Sequence, residues 1–256
     1  MNDNTIYGFC HIAWLPLRAE ASHRSEMVSQ LLFGESFRIL DRTAEWCLVE
    51  TDFDHYKGYV AAGSFSPLAL ETWEALQQNR LTTCTFLQIT DVRRKLTFPV
   101  PPSSTLPLME GRQMHIGEEH FETTEIPMHV SMKGSIQPYL HAPYLWGGRT
   151  PWGIDCSGFV QALYKMQGIT LPRDASQQML HGEKVPPSQA QFGDLAFFHN
   201  SEGKICHVGM IADARTIVHA SGRVREDDWD EKGIFCRETR NYSHLLHSIR
   251  HYCSFK

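Results

Sequence analysis

Short apolar runs separated by turn residues fill the first quarter of the chain. They extend from Tyr7 to about Pro67, with glycine and aspartate in the turns between them. Strands that recur roughly every eight to twelve residues, with turn signals between them, are typical of a small β-barrel. The pattern predicts strands at residues 31–33, 37–40, 46–49 and 58–60.

A second β-rich stretch follows residues 68–80, whose polar pattern suits a connecting helix or a loop. It predicts strands at 83–89, 106–108 and 113–117. Three prolines separate the first two of these strands, and proline marks an edge strand or a loop because it lacks a ladder donor. They are Pro99, Pro101 and Pro102.

The pattern changes character after about Pro127. Residues 129–141 suit a helix, 156–167 are strongly helical, and apolar strand-like runs follow at 192–198, 207–211 and 216–219. Helices followed by strands, without alternation between them, indicate an α+β arrangement. We expect three domains: two small β domains at 1–67 and 68–128, and an α+β domain at 129–256.

Composition and charge narrow the class of protein. The 256 residues are 42% hydrophobic and 21% charged, which is typical of a folded protein, and the net charge of −5 is spread without a basic stripe. We therefore expect no nucleic-acid partner. We also expect no membrane association, because there is no apolar run of 18 residues. The first residues do not resemble a secretion signal, which favours a cytoplasmic location unless a leader has been removed.

The seven cysteines contain no C-x-x-C pair, so thiolate metal binding is not indicated and no metal or cofactor is expected. Single cysteines in a large chain are usually small buried hydrophobic residues. We expect this of all but one of them, including Cys206, which lies in a predicted strand. The six are Cys10, Cys47, Cys84, Cys206, Cys236 and Cys253.

Cys156 is the exception because it lies where a glycine-rich loop (144–155) runs into the helix predicted at 156–167. Asp155 suits the N-cap position. Free backbone N–H groups and the helix dipole favour a thiolate in the first turn, so we expect the pKa of Cys156 to be lowered. The same N–H groups could stabilise an oxyanion.

Two downstream strands offer a base for this nucleophile. If the turn at 213–215 pairs Ala212 with Thr216, His207 and His219 become diagonal neighbours on one face of the sheet. His207 is then the candidate base and His219 its orienter. A register shift of one residue would place the two rings on opposite faces, so the prediction depends on this register.

Five motifs in this order resemble the NlpC/P60 cysteine peptidases, over residues 129–256. The resemblance implies a papain-like domain in which the nucleophile's helix packs on an antiparallel sheet that carries the histidines. It further implies that Cys156, His207 and His219 are catalytic and act through a thioester. The motifs are YLWGG (144–148), DCSGFV (155–160), LPRDASQQ (171–178), GDL (193–195) and HVG (207–209).

The same resemblance implies substrate contacts for five residues of this domain. Ala175 replaces a serine found in some relatives, so only its backbone could contact the substrate. Alternatively, Tyr144 could be a packing residue and Asp155 could act only as a helix cap. The five are Tyr144, Asp155, Ser157, Asp174 and Ala175.

The front of the chain, at 25–35 and 55–60, resembles the first bacterial SH3 domain of family members that recycle cell-wall peptides. These members cleave L-Ala-γ-D-Glu from a diamino acid. The resemblance implies that Glu26 and Tyr56 close the pocket over the substrate's free amino group. Tyr59 competes for the tyrosine role, and Glu26 could instead be a solvated charge. The second β domain resembles an SH3 domain only by position and β-character.

The resemblance thus implies a peptidase whose partner is a murein-derived peptide with a free N-terminal L-Ala. We expect it to be a monomer and, from its first residues, cytoplasmic. The alternative is a secreted endopeptidase that acts on intact wall and uses its SH3 domains to hold it. A non-catalytic binding module and an acyltransferase are further alternatives.

Overall fold

The computed structural model describes residues 6–252. The chain divides into two compact units, Met1–Pro138 and Tyr139–Lys256. Both predicted β domains therefore lie in the first unit, and residues 129–138, which we assigned to the third domain, lie there as well. Within the described residues no helix is long and apolar enough to cross a membrane.

The first β module is a seven-stranded antiparallel sheet with the order β3-β2-β6-β5-β4-β1-β7. All four strands predicted from the sequence are present. The sequence pattern missed the other three strands, β1, β2 and β7. The bounds are β1 Tyr7–Phe9, β2 Trp14–Arg18, β3 Met27–Leu32, β4 Ser36–Arg42, β5 Trp46–Thr51, β6 Lys57–Ala61 and β7 Ser66–Leu68.

A helix, α1 (Leu70–Gln78), connects to the second β module, as its polar pattern allowed. This module has a five-stranded sheet, β10-β9-β14-β13-β12, and a separate pair, β11-β8. Proline 99 lies in β10, an edge strand, as expected. The bounds are β8 Arg80–Thr82, β9 Leu87–Asp91, β10 Leu96–Val100, β11 Thr105–Pro107, β12 Met109–Glu110, β13 Gln113–Ile116 and β14 Glu119–Thr123.

The strand predicted at 83–89 begins only at Leu87. Thr83 Oγ1 donates to the carbonyl oxygen of Thr85 at 2.7 Å, which gives the backbone a local turn in place of a ladder. The alternation in the sequence was therefore correct only for the second half of this run.

The two β modules share one core. Phe33 and Phe121 pack edge to face with ring centroids 5.2 Å apart, and Phe9 contacts Phe121 in the same way at 6.4 Å. Polar groups also join the modules, because Ser66 Oγ donates to Glu119 Oε1 at 2.7 Å. The first unit is therefore held together by contacts between residues far apart in sequence.

The helix predicted at 129–141 is shorter than expected. It comprises α2 (Met132–Ile136), capped by Ser131 Oγ, which accepts from the Gly134 N–H at 3.2 Å, and a 3₁₀ turn at Gln137–Tyr139. Pro138 has no N–H to donate, so the α-helical pattern cannot continue through it.

The second unit is built on an antiparallel sheet with the order β17-β23-β18-β19-β20-β21-β22, and an additional pairing of β23 with β22 closes it. The long β23 makes this possible because it pairs with β18 over one part and β22 over another. A small hairpin, β15 (Arg149–Thr150) and β16 (Gly153–Ile154), precedes the sheet. The sheet strands are β17 Glu183–Val185, β18 Leu195–His199, β19 Ile205–Ile211, β20 Thr216–Ser221, β21 Arg223–Asp230, β22 Gly233–Cys236 and β23 Asn241–His251.

Helix α3 (Cys156–Met166) packs against β19 and β20, and the short α4 (Ala175–Gln178) packs against β19. Gly168 adopts φ +78° just beyond α3, a conformation typical of a helix C-terminus. The predicted packing of the helix that begins at Cys156 on the sheet that carries His207 and His219 is confirmed.

Candidate active site

Cys156 is the first residue of α3, and Asp155 is its N-cap. Asp155 Oδ1 accepts from the Gly158 N–H at 2.7 Å, and Oδ2 accepts from the Gly147 N–H at 2.8 Å. The loop and the helix touch so closely that a Cβ on Gly158 would lie 2.3 Å from the Gly148 carbonyl oxygen. Glycine at these positions therefore allows the loop to seat the start of the helix.

A buried arginine, which the sequence analysis did not single out, holds the residues on either side of the nucleophile. Arg173 is 1% exposed and donates to both oxygens of Asp155, at 3.0 and 2.6 Å, and to Ser157 Oγ at 2.8 Å. This fork geometry is specific to arginine. Asp155 and Ser157 are thus engaged within the protein as well as being candidate substrate contacts.

The expected lowering of the Cys156 pKa is wrong. Burial raises it to about 12 and the charge of Asp155 adds to this, while backbone hydrogen bonds from Val208 and Ser157 and the charge of Arg173 oppose the shift. The N–H groups act in the predicted direction, but loss of solvation for the charged form outweighs them. The thiol of Cys156 is therefore neutral near pH 7.

The predicted register of the histidine strands is confirmed. Ala212 N–H donates to the Thr216 carbonyl at 2.8 Å, and His219 pairs with Gly209, two residues beyond His207. The two rings meet across this diagonal, with His207 Nε2 2.8 Å from His219 Nδ1. Because Cys156 also bonds to the backbone of Val208, nucleophile and candidate base are on adjoining elements.

Gly209 provides the space for this pair. A Cβ on Gly209 would lie 2.9 Å from the Cβ of His219 and 2.8 Å from Ile217 Cδ1. Such contacts are much closer than normal packing, so any side chain at 209 would displace His219 or the strand that carries it.

Asp227 extends the pair to a chain of three side chains, which the sequence analysis missed. His219 Nε2 lies 3.1 Å from Asp227 Oδ2, and both residues are 1% exposed. Asp227 lies diagonal to His219 on β21, because His219 pairs with Arg225. The same diagonal rule that related His207 to His219 could have found it, had β21 been predicted.

Asp227 is ionised in the folded protein. Burial alone raises its pKa, but hydrogen bonds from His219, from the Arg237 backbone and from Arg225 outweigh burial and hold the pKa at about 2. An ionised carboxylate only accepts, so His219 carries its proton on Nε2 and accepts at Nδ1. His207 then donates from Nε2, and its Nδ1 carries the lone pair that could accept a proton.

His244 on β23 completes the cluster and was not anticipated. Its ring stacks on His207, with centroids 4.0 Å apart and planes 21° from parallel, and meets His219 edge to face at 5.9 Å. Burial, together with the charge of His219, lowers the pKa of His244 to about 4. Burial also lowers the pKa of His207 well below its ordinary value, with His244 and His219 contributing. Both rings are neutral near pH 7.

The remaining candidate substrate contacts of this unit lie around the nucleophile. Tyr144 is half-exposed, and burial raises its pKa to about 12, with further increases from the nearby charges of Cys156 and Asp155. Asp174 directly follows Arg173, the residue that binds Asp155 and Ser157, and Ala175 begins α4. The structure therefore gathers Tyr144, Asp155, Asp174 and Ala175 in the segments that surround α3.

The candidate amino-end residues belong to the first unit. Glu26 is exposed and directly precedes β3, and its carbonyl accepts from Ala19 N–H at 3.0 Å. Tyr56 is partly buried against the core of the first module, and Tyr59 lies within β6 opposite Leu48. The contact of Tyr56 with the core shows that packing is part of its role.

The expectation for the remaining cysteines is correct for Cys10, Cys47 and Cys84, which are buried. It is wrong for Cys206, which is exposed because the ring of His207 points inward and successive side chains on a strand point to opposite faces. Cys236 is buried, but Arg225 contacts its sulfur at 3.4 Å, and hydrogen bonds from Thr239 lower its pKa. Cys253 lies outside the described residues.

Comparisons with known proteins agree with the resemblance found in the sequence. Residues 141–241 match the NlpC/P60 family profile, and residues 17–65 match that of the bacterial dipeptidyl-peptidase SH3 domain. The chain resembles the gamma-D-glutamyl-L-lysine dipeptidyl-peptidase of Bacillus subtilis (strain 168), with 43% identity over 84 residues, 32% of this chain and 28% of that protein. It therefore spans only about a quarter of that relative's length.

Other similarities extend over most of the chain. Dipeptidyl-peptidase 6 of Lysinibacillus sphaericus is 25% identical over 240 residues, 80% of this chain and 84% of that protein. The crystal structure of an NlpC/P60 family protein from Bacillus cereus matches 96% of this chain and 99% of its own, with a TM-score of 0.78 and 18% identity, which shows the fold. The chain thus carries an NlpC/P60 domain preceded by a bacterial SH3 domain.

Proposed function

We propose that the protein is a cysteine peptidase that hydrolyses the γ-D-Glu–diamino acid bond of murein stem peptides and releases L-Ala-γ-D-Glu. One observation carries the proposal: the thiol of Cys156 bonds to the backbone next to His207, and His207 Nε2 lies 2.8 Å from His219. The names of the relatives from Bacillus subtilis and Lysinibacillus sphaericus support this reaction class.

The pKa directions determine the order of the first step. Because the thiol and His207 are both neutral at rest, His207 Nδ1 takes the Cys156 proton as Sγ attacks the amide carbonyl. The resulting imidazolium is stabilised through His219 by the buried carboxylate of Asp227. The tetrahedral oxyanion lies at the start of α3, where backbone N–H groups can donate to it.

The second half of the reaction reverses the roles. His207 gives its proton to the leaving amine, and a thioester remains on Cys156. Water then attacks the thioester while His207 Nδ1 again acts as base, and the acid product leaves with the thiol restored. Each step uses only the side chains described above and water.

Specificity for a free amino end is the finer part of the proposal, and it assigns Glu26 and Tyr56 to that end. An α-ammonium buried in a pocket needs a carboxylate partner, and a pocket that leaves such a carboxylate unpaired rejects a blocked substrate. Trimmed stem peptides, not intact wall, are then the substrates. A monomeric, cytoplasmic enzyme of cell-wall peptide recycling fits this substrate. The second β module would serve as a further SH3-like scaffold.

The test uses the full chain with L-Ala-γ-D-Glu-meso-diaminopimelate, its L-Lys analogue, the N-acetylated peptide and intact peptidoglycan. We expect cleavage of the free peptides, and Cys156→Ala should abolish it. Cys206→Ala, which removes the exposed thiol, is the matched control and should keep full activity. Turnover by Cys156→Ala would refute the mechanism, and release of products from intact wall would favour the endopeptidase alternative.

The amino-end assignment needs its own comparison. Glu26→Gln should reduce the preference for the free peptide over the N-acetylated one, whereas Glu20→Gln, at another exposed position shortly before it, should not. An unchanged preference in Glu26→Gln would return Glu26 to the class of solvated surface charges.

A further inference from the structure

We propose that His207, His219 and His244 form a binding site for a divalent ion of the zinc class, and that an ion bound there reversibly inactivates the enzyme. Inactivation rests on the proposed function, whereas binding does not. Each of the three side chains offers one nitrogen, and these nitrogens lie within 4.8 Å of one another. No other group of this kind occurs in the part of the chain that the structure describes.

The distances suit a tetrahedral ion with small side-chain rotations. Zinc binds imidazole nitrogen at about 2.0–2.1 Å, so two tetrahedral ligand atoms lie roughly 3.4 Å apart. His207 Nε2 and His219 Nδ1 are now 2.8 Å apart and need only separate slightly. His244 must tilt out of its stack with His207, because the three nitrogens now lie within 4.8 Å of one another and tetrahedral ligands need roughly 3.4 Å.

Two of the three rings already have the outer partners that metal-binding histidines use. The Nε2 of His219 is bonded to Asp227 at 3.1 Å, and the Nδ1 of His244 lies 2.9 Å from Ser243 Oγ. Such partners fix the ring orientation and increase ligand basicity. They also leave His219 Nδ1 and His244 Nε2 as the nitrogens that can coordinate.

The surroundings of the cluster favour coordination. His207 and His219 are 5% and 1% exposed, and the ring of Phe198 lies 5.9 Å from His207 and 6.1 Å from His244. Three imidazoles in such an apolar setting are a ligand set that zinc, copper and nickel accept, whereas magnesium and calcium prefer oxygen.

Binding would inactivate through the tautomer of His207. In the free protein its proton is on Nε2 and its base is Nδ1. An ion on Nε2 needs the lone pair of that nitrogen, so the proton moves to Nδ1. The imidazole stays neutral and no net proton is lost, but the nitrogen that should accept the Cys156 proton is now occupied.

A second arrangement of the ion must be distinguished, because a thiol and an imidazole can also hold zinc. An ion held by Cys156 and His207 would need the thiolate, and it would not need His244. Variants of Cys156 and His244 therefore separate the two arrangements.

The experiment is a titration of the full chain with Zn²⁺ or Co²⁺ in competition with a chromophoric chelator. We expect the unaltered chain to bind one ion. Cys156→Ala should still bind it, whereas His244→Phe and His244→Asn should not. Asp227→Asn should weaken binding by about 10- to 100-fold. His120→Phe is the matched control, because His120 stacks on His115 at 4.1 Å without a third ligand.

The proposed site would be overturned if Cys156→Ala abolished ion binding while both His244 variants kept it. It would also be overturned if the unaltered chain did not bind one ion per chain. Thermal unfolding confirms that each variant is folded. In the peptidase assay, Zn²⁺ should inhibit and a chelator should restore activity. Stoichiometric binding without any peptidase activity would refute the proposed function and leave the site standing, whereas binding without inhibition would refute the inactivation.

Discussion

Asp227 Oδ2 lies 3.1 Å from Nε2 of His219, and both side chains are buried. This contact sets the tautomer of His219 and, through it, that of His207. In the proposed mechanism, an ionised Asp227 also stabilises the imidazolium that forms on His207, so it acts on the transition state more than on the bound substrate. We therefore assign Asp227 as a positioning residue for the proposed base.

Asp227→Asn should lower kcat with KM little changed, by at least the roughly 10- to 100-fold that loss of an outer hydrogen-bond partner costs at a metal-binding histidine. The amide can donate to His219 Nε2, which favours the wrong tautomer. Asp228→Asn is the matched control, because Asp228 is half-exposed and pairs with Arg237. Equal kinetics of the two variants would show that the carboxylate has no part in the relay.

Gly209→Ala should lower both stability and activity. The added methyl would lie 2.9 Å from His219 Cβ, and overpacking of this kind costs about 1–3 kcal/mol. Urea unfolding and kcat measure the two effects. Gly63→Ala is the control, since a Cβ there meets nothing within 4 Å. A Gly209→Ala variant with unchanged kcat would show that His219 tolerates displacement.

Alkylation of Cys156 by iodoacetamide should accelerate continuously as the pH rises to 9 or 10. The reason is that burial raises the pKa of the thiol to about 12. The kcat/KM should meanwhile persist below pH 6.5, because the pKa of His207 lies well below its ordinary value and the base stays neutral there. Cys156→Ala identifies the alkylated residue. A plateau in the alkylation rate near neutral pH would instead show a preformed thiolate.

Arg173→Lys should destabilise the second unit and lower kcat, because lysine cannot make the two-pronged contact with Asp155. Breaking a buried charge pair outright costs about 3–5 kcal/mol, so Arg173→Met should be worse than Arg173→Lys. Arg237→Lys is the control, since its contact with Asp228 is half-exposed. Similar unfolding free energies for Arg173→Lys and the unaltered chain would show that the two-pronged contact with Asp155 does not stabilise the second unit.

Acid should destabilise the first unit through Glu119. Hydrogen bonds from Arg94 lower the pKa of this carboxyl from 4.5 to about 2, even though burial opposes the shift. Its stabilising contribution is therefore fully present above pH 4.5 and is lost as the pH falls towards 2. Thermal unfolding between pH 2 and 6 should show a weaker pH dependence in Glu119→Gln. The exposed Glu118→Gln should keep the original dependence.

Several features followed from local sequence. The helix at 156–166 was predictable because an N-cap aspartate, a preceding run of glycine and proline, and apolar residues at helical spacing all act locally. The hairpin that brings His207 and His219 together was predictable because a three-residue turn sets the register of both strands. The start of the helix at Cys156 and the approach of His207 to His219 could therefore be predicted.

Other parts of the site depend on contacts between distant segments. His244 reaches His207 only because β23 pairs with both β18 and β22 and closes the sheet. Arg173 meets Asp155 across 18 residues. No local pattern encodes either contact, because each is set by how strands and loops pack in three dimensions.

The thiol of Cys156 most clearly separates what local sequence predicts from what tertiary packing adds. The local sequence places Cys156 at the start of a helix, where N–H groups and the dipole favour the thiolate. The direction of the pKa shift follows from tertiary packing, because α3 and β19 bury the sulfur and Asp155 places a negative charge beside it. Desolvation depends on everything packed around a group, and a linear pattern cannot report it.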